Sequence, residues 1–300
     1  MKILVTGGLG FVGSHLSGFL LNRGHHVTAV DLFPDSHLIS HENYRYISAD
    51  TTQTGRWQEA LNEVDVAVNL AGANIFKRWT KRYKKLMYDS RILTTRNLVE
   101  SIPKDRRFVL CSTSAAGYYG NRGDDVLTED EPGGGDFLAE ISKDWEAEAS
   151  RAIEKGARVV ISRFGIVLGK TGGALRNMIS AFKWFVGGQM GDGKQWFPWI
   201  HIDDLMLAAL FVIENENVNG AVNFCAPNPV RNRELAKILG RILKRPALMT
   251  APAIMMRMVL GEFASAVLAS QRAVPDKLLN NGFNFQYPDI EQAIRNIIET

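Results

Sequence analysis

Short apolar runs and helix-length stretches of mixed polarity alternate through the first half of the chain. The runs at 2–6, 26–30, 44–48, 64–70, 107–112 and 158–163 have the length of buried strands. Between them, 11–22, 55–61, 80–101 and 136–155 read as helices. Buried strands alternating with helices predict a parallel sheet with helices on both faces. With right-handed crossovers this is a doubly wound, Rossmann-type α/β fold. After residue 165 the rhythm changes. Glycines cluster at 169–173 and 187–193, and aromatics gather at Trp184, Phe185, Trp196, Phe197 and Trp199. A helix at 203–214 and a strand at 221–225 are expected to return to the main sheet. The pattern divides the chain into a main domain over 1–165, rejoined by 201–225, and a smaller C-terminal lobe built from 166–200 and 226–300.

The first strand leads into Thr6-Gly7-Gly8-Leu9-Gly10-Phe11-Val12-Gly13, and a helix follows. Strand, glycine turn and helix together form a dinucleotide-binding pattern. Gly7 or Gly8 permits a sharp turn, Gly10 lets a pyrophosphate approach the backbone, and Gly13 lets the helix pack close to the strand. The N–H groups opening the helix, from Phe11 and Val12 onward, offer positive charge to phosphate. The second strand ends in Asp31, about 20 residues beyond the glycines, where an acid accepts hydrogen bonds from the adenosine ribose. Asp31 would repel a 2′-phosphate and no Lys or Arg occupies 32 to 36, so NAD is favoured over NADP.

In such sheets ligands sit beyond the carboxyl ends of the strands. Asp50, after the third strand, fits either the adenine amino group or a helix cap. Leu70-Ala71-Gly72, after the fourth, is small enough to lie against the nicotinamide-side ribose. The fifth strand ends in Ser112-Thr113-Ser114-Ala115-Ala116-Gly117-Tyr118-Tyr119-Gly120, rich in hydroxyls that could meet a substrate oxygen. Ser142-Lys143 lies on the next helix, with Ala139 one turn before Lys143.

The formal charge of +3 makes no electrostatic case for nucleic acid or membrane. The densest basic run, Lys77 to Lys85, reads as a solvated helix start near the cofactor. Cys111 and Cys225 lie in apolar runs and read as inert core residues. Met255, Met256 and Met258 read as core packing. The histidines lack metal-ligand spacing, so no metal is expected. No apolar run reaches the ~18–20 residues that span a bilayer. With the first strand starting at residue 2, no signal peptide is expected, and a cytoplasmic or organelle-matrix location follows.

Taken together these motifs resemble the extended short-chain dehydrogenase/reductase superfamily, which includes nucleotide-sugar epimerases and dehydratases. The glycine turn with Asp31, the Asp50 turn, Asn69-Leu70-Ala71-Gly72, the Ser-rich strand end, Ser142-Lys143, Arg163-Phe164-Gly165 and His201-Ile202-Asp203-Asp204 occur in family order. More narrowly the chain resembles the YfcH-like epimerase-family proteins. That match rests on the Ser112–Gly120 stretch, Phe137-Leu138-Ala139-Glu140, Gly193 to His201, and Val274 to Leu279 with Gly282-Phe283.

The resemblance implies hydride transfer between a nicotinamide cofactor and a sugar-like alcohol or ketone, with the second lobe binding the substrate. Ser114 and Lys143 fall on the superfamily's Ser and Lys positions, and Lys143 would also hold the cofactor ribose. The superfamily's catalytic Tyr position is Ala139, which cannot move a proton. Tyr118 or Tyr119 could supply the phenol instead, or Glu140 could act if burial raised its pKa. Gln195 and Trp196 would line the substrate mouth, with Arg176 or Arg231 available for a phosphate. His201, Asp203 and Asp204 read as structural. A small-molecule substrate and a homodimer are the expected partners, although the helices through which superfamily members pair are polar here. The rival reading is a dinucleotide-binding regulator or scaffold that has lost catalysis.

Overall fold

The computed structural model describes residues 1–34, 39–104, 106–247 and 249–299. Seven strands form one parallel sheet: β1 (Lys2–Thr6), β2 (His26–Asp31), β3 (Tyr44–Ser48), β4 (Val66–Asn69), β5 (Val109–Ala115), β6 (Arg158–Phe164) and β7 (Gly220–Phe224). Their order is β7-β6-β5-β4-β1-β2-β3. The chain builds outward from β1 to β3, returns to the other side of β1, and builds outward again from β4 to β7. The strand order reverses between β1 and β4, and the crevice expected at such a switch point lies outside the carboxyl ends of these two strands. This is the Rossmann-type fold expected from the alternation.

Strand alternation sorts the core into two layers. Ile3, Val5, Val68 and Cys111 face α1 (Phe11–Leu21), through Leu16 and Leu20, with Leu205 and Val212 of a later helix behind them. Leu4, Ala67 and Leu110 face the opposite way, onto Leu98 and Val99 of α2 (Lys81–Glu100) and Ala149 of α3 (Phe137–Ser150). Each fully buried aliphatic side chain stabilises the fold by roughly 1.5–3 kcal/mol. Caps fix the starts of the two helices on this second face. The Thr80 hydroxyl accepts from the Tyr83 N–H at 3.1 Å, and the Asp136 carboxylate accepts from the Ala139 N–H at 3.0 Å.

The remaining helices are α4 (Gly173–Lys183), α5 (Ile202–Glu214), α6 (Asn232–Leu243), α7 (Ala253–Leu260), α8 (Phe263–Leu268), α9 (Asp276–Asn280) and α10 (Ile290–Glu299). A third core joins Leu175 and Phe182 of α4, Phe197, Trp199, Leu235 and Leu239 of α6, and Ile290 and Ile294 of α10. Phe197 and Trp199 are therefore packing residues, and the Trp199 indole N–H donates to the Asn228 carbonyl at 3.1 Å.

Several boundaries differ from the pattern-based reading. The stretch expected as a helix at 55–61 is a 3₁₀ segment, Arg56–Glu63. The helix expected over 136–155 is α3 followed by a 3₁₀ turn, Arg151–Lys155. The strand expected to stop at 112 continues to Ala115, because Thr113, Ser114 and Ala115 pair with Ser162, Arg163 and Phe164 of β6. That extension decides where Ser114 points.

Candidate active site

The glycine turn lies at the mouth of the β1/β4 crevice. Gly7 has φ +67°, and its N–H donates to the Val30 carbonyl at 2.9 Å. A Cβ on Gly7 would stand 2.9 Å from the Leu70 carbonyl, so the turns after β1 and β4 touch backbone to backbone. A Cβ on Gly13 would run into the Gly7 carbonyl oxygen, which is why the helix can start so close to the strand. Gly10 caps α1 without any side-chain hydrogen bond, leaving the opening N–H groups turned to the crevice. Phe11 lays its ring on Gly169, Gly172 and Gly173, while Val12 and Leu70 help line a small apolar hole beside Thr113.

Asp31 completes this corner. One carboxylate oxygen accepts from the Leu9 N–H at 2.9 Å, the other from the Leu32 N–H at 2.7 Å. Two N–H bonds fix the carboxylate and still leave lone pairs for ribose hydroxyls. Of the neighbouring stretch 32–36, residues 35 and 36 lie outside the described residues. Asp50 is exposed, and its carboxylate accepts from both the N–H and the hydroxyl of Thr52, at 2.9 and 2.6 Å. It caps its own turn. The glycine cradle, the free helix N–H groups and the fixed acid fit a dinucleotide.

The hydroxyl-rich end of β5 is arranged differently from the expectation. Alternation turns Ser112 and Ser114 toward α3 and Thr113 the other way. Ser114 is buried, and its hydroxyl donates to Glu146 at 2.6 Å, so it is not available to hold a substrate oxygen. Glu146 in turn takes a two-pronged pair from Arg163, with Nε and Nη2 each at 2.9 Å. The third arm, Arg163 Nη1, donates to the Tyr119 hydroxyl and the Glu129 carbonyl, both at 3.0 Å. Burial opposes the Arg163 charge, but the hydrogen bonds and attraction of Glu146 outweigh it and raise its pKa.

Tyr119 is fully buried in the same network. Its hydroxyl donates to the Asn223 side-chain oxygen (2.7 Å) or the Thr128 carbonyl (2.9 Å). Burial pushes this phenol well above its ordinary value, more than Arg163 can offset. Tyr119 is thus a structural tyrosine rather than a proton carrier. Glu140 is exposed in the first turn of α3, without the burial its proposed role required. Ala139 is fully buried.

Tyr118, unlike Tyr119, is only half-buried. The Arg163 guanidinium lies 3.6 Å from its ring centroid. A Cβ on Gly133 would stand 2.5 Å from Lys143 Cε and 3.0 Å from Tyr118 Cζ, so both side chains converge over the same glycine. The Lys143 ammonium is exposed and donates to the Gly134 carbonyl at 2.5 Å. Lys143 and Tyr118 therefore meet over Gly133, beyond the carboxyl end of β5. Gly72 is itself closed from behind by Arg91, which donates to the Ala73 carbonyl at 3.1 Å. Burial lowers the Arg91 pKa to about 10.

Of the outer candidates, Gln195 is buried, and its amide donates to the Met190 carbonyl at 3.0 Å, so it supports a turn rather than lining a mouth. Trp196 lies between two guanidinium groups, with Arg231 at 4.4 Å and Arg272 at 4.6 Å from its ring, and its indole N–H donates to Asp124 at 2.8 Å. Arg231 also pairs with Asp124 at 3.0 Å and donates to the Lys194 carbonyl at 2.5 Å. Arg176 is exposed on α4, away from this group. His201 caps α5 through Nδ1, which accepts from the Asp203 N–H at 3.1 Å. Buried Asp204 accepts from the Gln286 and Tyr287 N–H groups at 2.7 and 2.9 Å. Both are joints of the framework.

The chain is similar to proteins of known family. Residues 3–225 match the family described as NAD dependent epimerase/dehydratase, and 251–297 match a domain of unknown function. The chain belongs to the NAD-dependent epimerase/dehydratase family. An epimerase family protein of Staphylococcus haemolyticus is 39% identical over 304 residues, covering 99% of each chain. Epimerase family protein YfhF of Bacillus subtilis is 36% identical over 301 residues, covering 99% of this chain and 98% of its own. Among solved structures, human epimerase family protein SDR39U1 with NADPH superposes with a TM-score of 0.85 at 32% identity, over 100% of both chains. MoeE5, solved with UDP-glucuronic acid and NAD, gives a TM-score of 0.80 at 22% identity over 100% of this chain and 98% of its own, which shows the shared fold.

Within this family frame, the element that sequence reasoning missed is the Glu146–Arg163 pair. A signal for it was present. Arg163 interrupts an apolar strand, and Glu146 lies three residues after Lys143 on one helix face, where an unpaired charge would be costly.

Proposed function

We propose that the protein is an NAD(P)-dependent oxidoreductase or epimerase acting on a sugar-like alcohol or ketone, with Tyr118 in place of the tyrosine absent at 139. The convergence of Tyr118 and Lys143 over Gly133 carries this reading. A bound nicotinamide would supply the hydride acceptor. Gly7, Gly10, Gly13 and the N–H groups of Phe11 and Val12 would hold its pyrophosphate, Asp31 its adenosine ribose, and Leu70 to Gly72 its inner ribose. Lys143, released from the Gly134 carbonyl, would bind the inner ribose hydroxyls. Tyr118, having first given its own phenol proton to solvent, would take the proton from the substrate hydroxyl while the hydride leaves the same carbon and the carbonyl forms. Lys143 would place positive charge beside the deprotonated Tyr118 oxygen. The fixed carboxylate of Asp31 favours NAD over NADP for this chain, although the human relative was solved with NADPH. A nucleotide-sugar substrate is supported by the cations around Trp196, Arg231 and Arg272.

A second reading, a dinucleotide-binding protein without catalysis, is favoured by one observation: Ser114 and Tyr119 are both committed to internal partners. Incubation of the purified protein with NADH or NADPH and a panel of ketones and nucleotide sugars separates the two. Net loss of nicotinamide absorbance, or epimer formation without it, supports the enzyme, provided Tyr118→Phe abolishes it. Tight cofactor binding with no turnover across the panel supports the binding protein.

A further inference from the structure

The formal charge of +3 conceals a segregation. Three stretches contain no Asp or Glu: 72–88 with six Lys and Arg, 171–191 with two, and 241–261 with four. The fold brings them together. Strand residues Gly188–Met190 pair with Met249–Ala251. Arg245 stacks on Phe185 at 4.7 Å. Gly261 lies beside Arg78, Lys84 pairs with Glu262 at 2.8 Å, and Phe76 meets Phe263 at 5.8 Å. Lys77, Arg78, Lys81, Arg82, Lys183, Lys244 and Arg257 are all exposed along this side.

The same side exposes large apolar groups. Trp184 is 78% exposed, with Phe185 and Val186 exposed beside it. On α7, Met256 alone of the three methionines is buried. Ile254, Met255, Met258 and Val259 form an outward apolar face, contrary to the expectation that this methionine stretch was core.

The Trp184 turn is held out at a conformational expense. The Phe185 N–H donates to the Phe182 carbonyl and the Val186 N–H to the Ala181 carbonyl, both at 3.0 Å, which is a glycine-type helix ending. Phe185 occupies its left-handed position with φ +59°, where a bulky side chain is strained. Glycine would relieve the strain, and an aromatic is displayed there instead.

From the charge complementarity and the strained aromatic turn, we propose that this side docks on an anionic lipid bilayer. Trp184, Phe185 and the α7 face would enter the headgroup boundary, and the surrounding Lys and Arg would meet the lipid phosphates. Among the described residues no helix is long and apolar enough to cross a membrane, so the attachment is peripheral. A second copy of the chain fits less well, since a face on which cations outnumber acids would oppose itself. Nucleic acid would satisfy the cations but not the exposed aliphatic groups of α7.

The test is co-sedimentation of the full chain with vesicles of phosphatidylcholine alone or mixed with phosphatidylglycerol, at low and high salt. Sedimentation with the mixed vesicles only, weakened by salt, is the expected result. Replacing Trp184→Ser together with Phe185→Gly should reduce the bound fraction about tenfold while the melting temperature holds or rises. Met258→Ser with Val259→Ser provides an independent pair on α7. The proposal is overturned if the wild type stays in the supernatant, or if both variant pairs sediment like it. It is equally overturned if light scattering finds a dimer that Trp184→Ser dissociates, or if a short RNA binds more tightly than the mixed vesicles at the same salt.

Discussion

Ser114 gives its hydroxyl proton to Glu146 across 2.6 Å, one helical turn deeper than Lys143. Because β5 runs on to Ala115, the serine that resembles a substrate ligand instead closes a buried ion pair. Removing Glu146 would leave Arg163 charged and buried. Glu146→Ala should destabilise the fold by roughly 3–5 kcal/mol, whereas Ser114→Ala should cost only about 1 kcal/mol. Urea unfolding of the two variants checks the ratio. Equal effects would remove the distinction between the ion pair and its hydroxyl.

The two adjacent tyrosines should separate activity from stability. Tyr118→Phe is expected to leave the melting temperature unchanged and lower kcat by about 10²–10⁴. Tyr119→Phe would leave Arg163 Nη1 and Asn223 short of a partner and destabilise by about 1–3 kcal/mol. Thermal denaturation beside steady-state turnover of both variants decides. A Tyr118→Phe protein as active as wild type would exclude this phenol from proton transfer.

Asp31 ends β2 at the corner proposed to take the adenosine ribose. Asp31→Asn keeps an acceptor for the Leu9 N–H and removes the negative charge. The ratio of NADP to NAD affinity should rise at least about tenfold, or ~1.4 kcal/mol. Calorimetric titration with both cofactors measures it, and an unchanged ratio would place the selection elsewhere.

His201 gives a pH prediction. Burial, only partly countered by Asp203, lowers its pKa below 6.5. As pH falls through 6.5 the unfolded chain takes up a proton that the folded chain refuses, so stability present above that point declines. Buried Asp204 and Glu129, whose pKa values burial raises, act in the opposite sense at lower pH, where the folded chain holds protons the unfolded chain has lost. His201→Asn preserves a helix cap and should flatten the decline just below pH 6.5, as followed by urea midpoints across the pH range.

The glycine turn, the doubly wound parallel sheet and the helix that carries Lys143 were legible because each rests on short-range constraints: a positive φ at Gly7, a run of buried strands, a fixed helical spacing. The fate of Ser114 and Tyr119 was not. Those two depend on the pairing of β5 with β6 and on which neighbour reaches the hydroxyl first. Local sequence holds neither fact. Gln195 misled for a similar reason, since a polar residue among aromatics reads as a pocket lining until its amide is seen to serve the Met190 carbonyl. Met255 and Met258 misled in the opposite direction, because helical apolar spacing does not say whether a second layer covers the face.

The ring of Phe11 rests on Gly169, Gly172 and Gly173, the hinge from which α4 springs. With no side chain on the glycines, the start of α1 and the root of α4 touch directly through that ring. A change at Gly10 that moved Phe11 would press first on the helix that ends at Trp184.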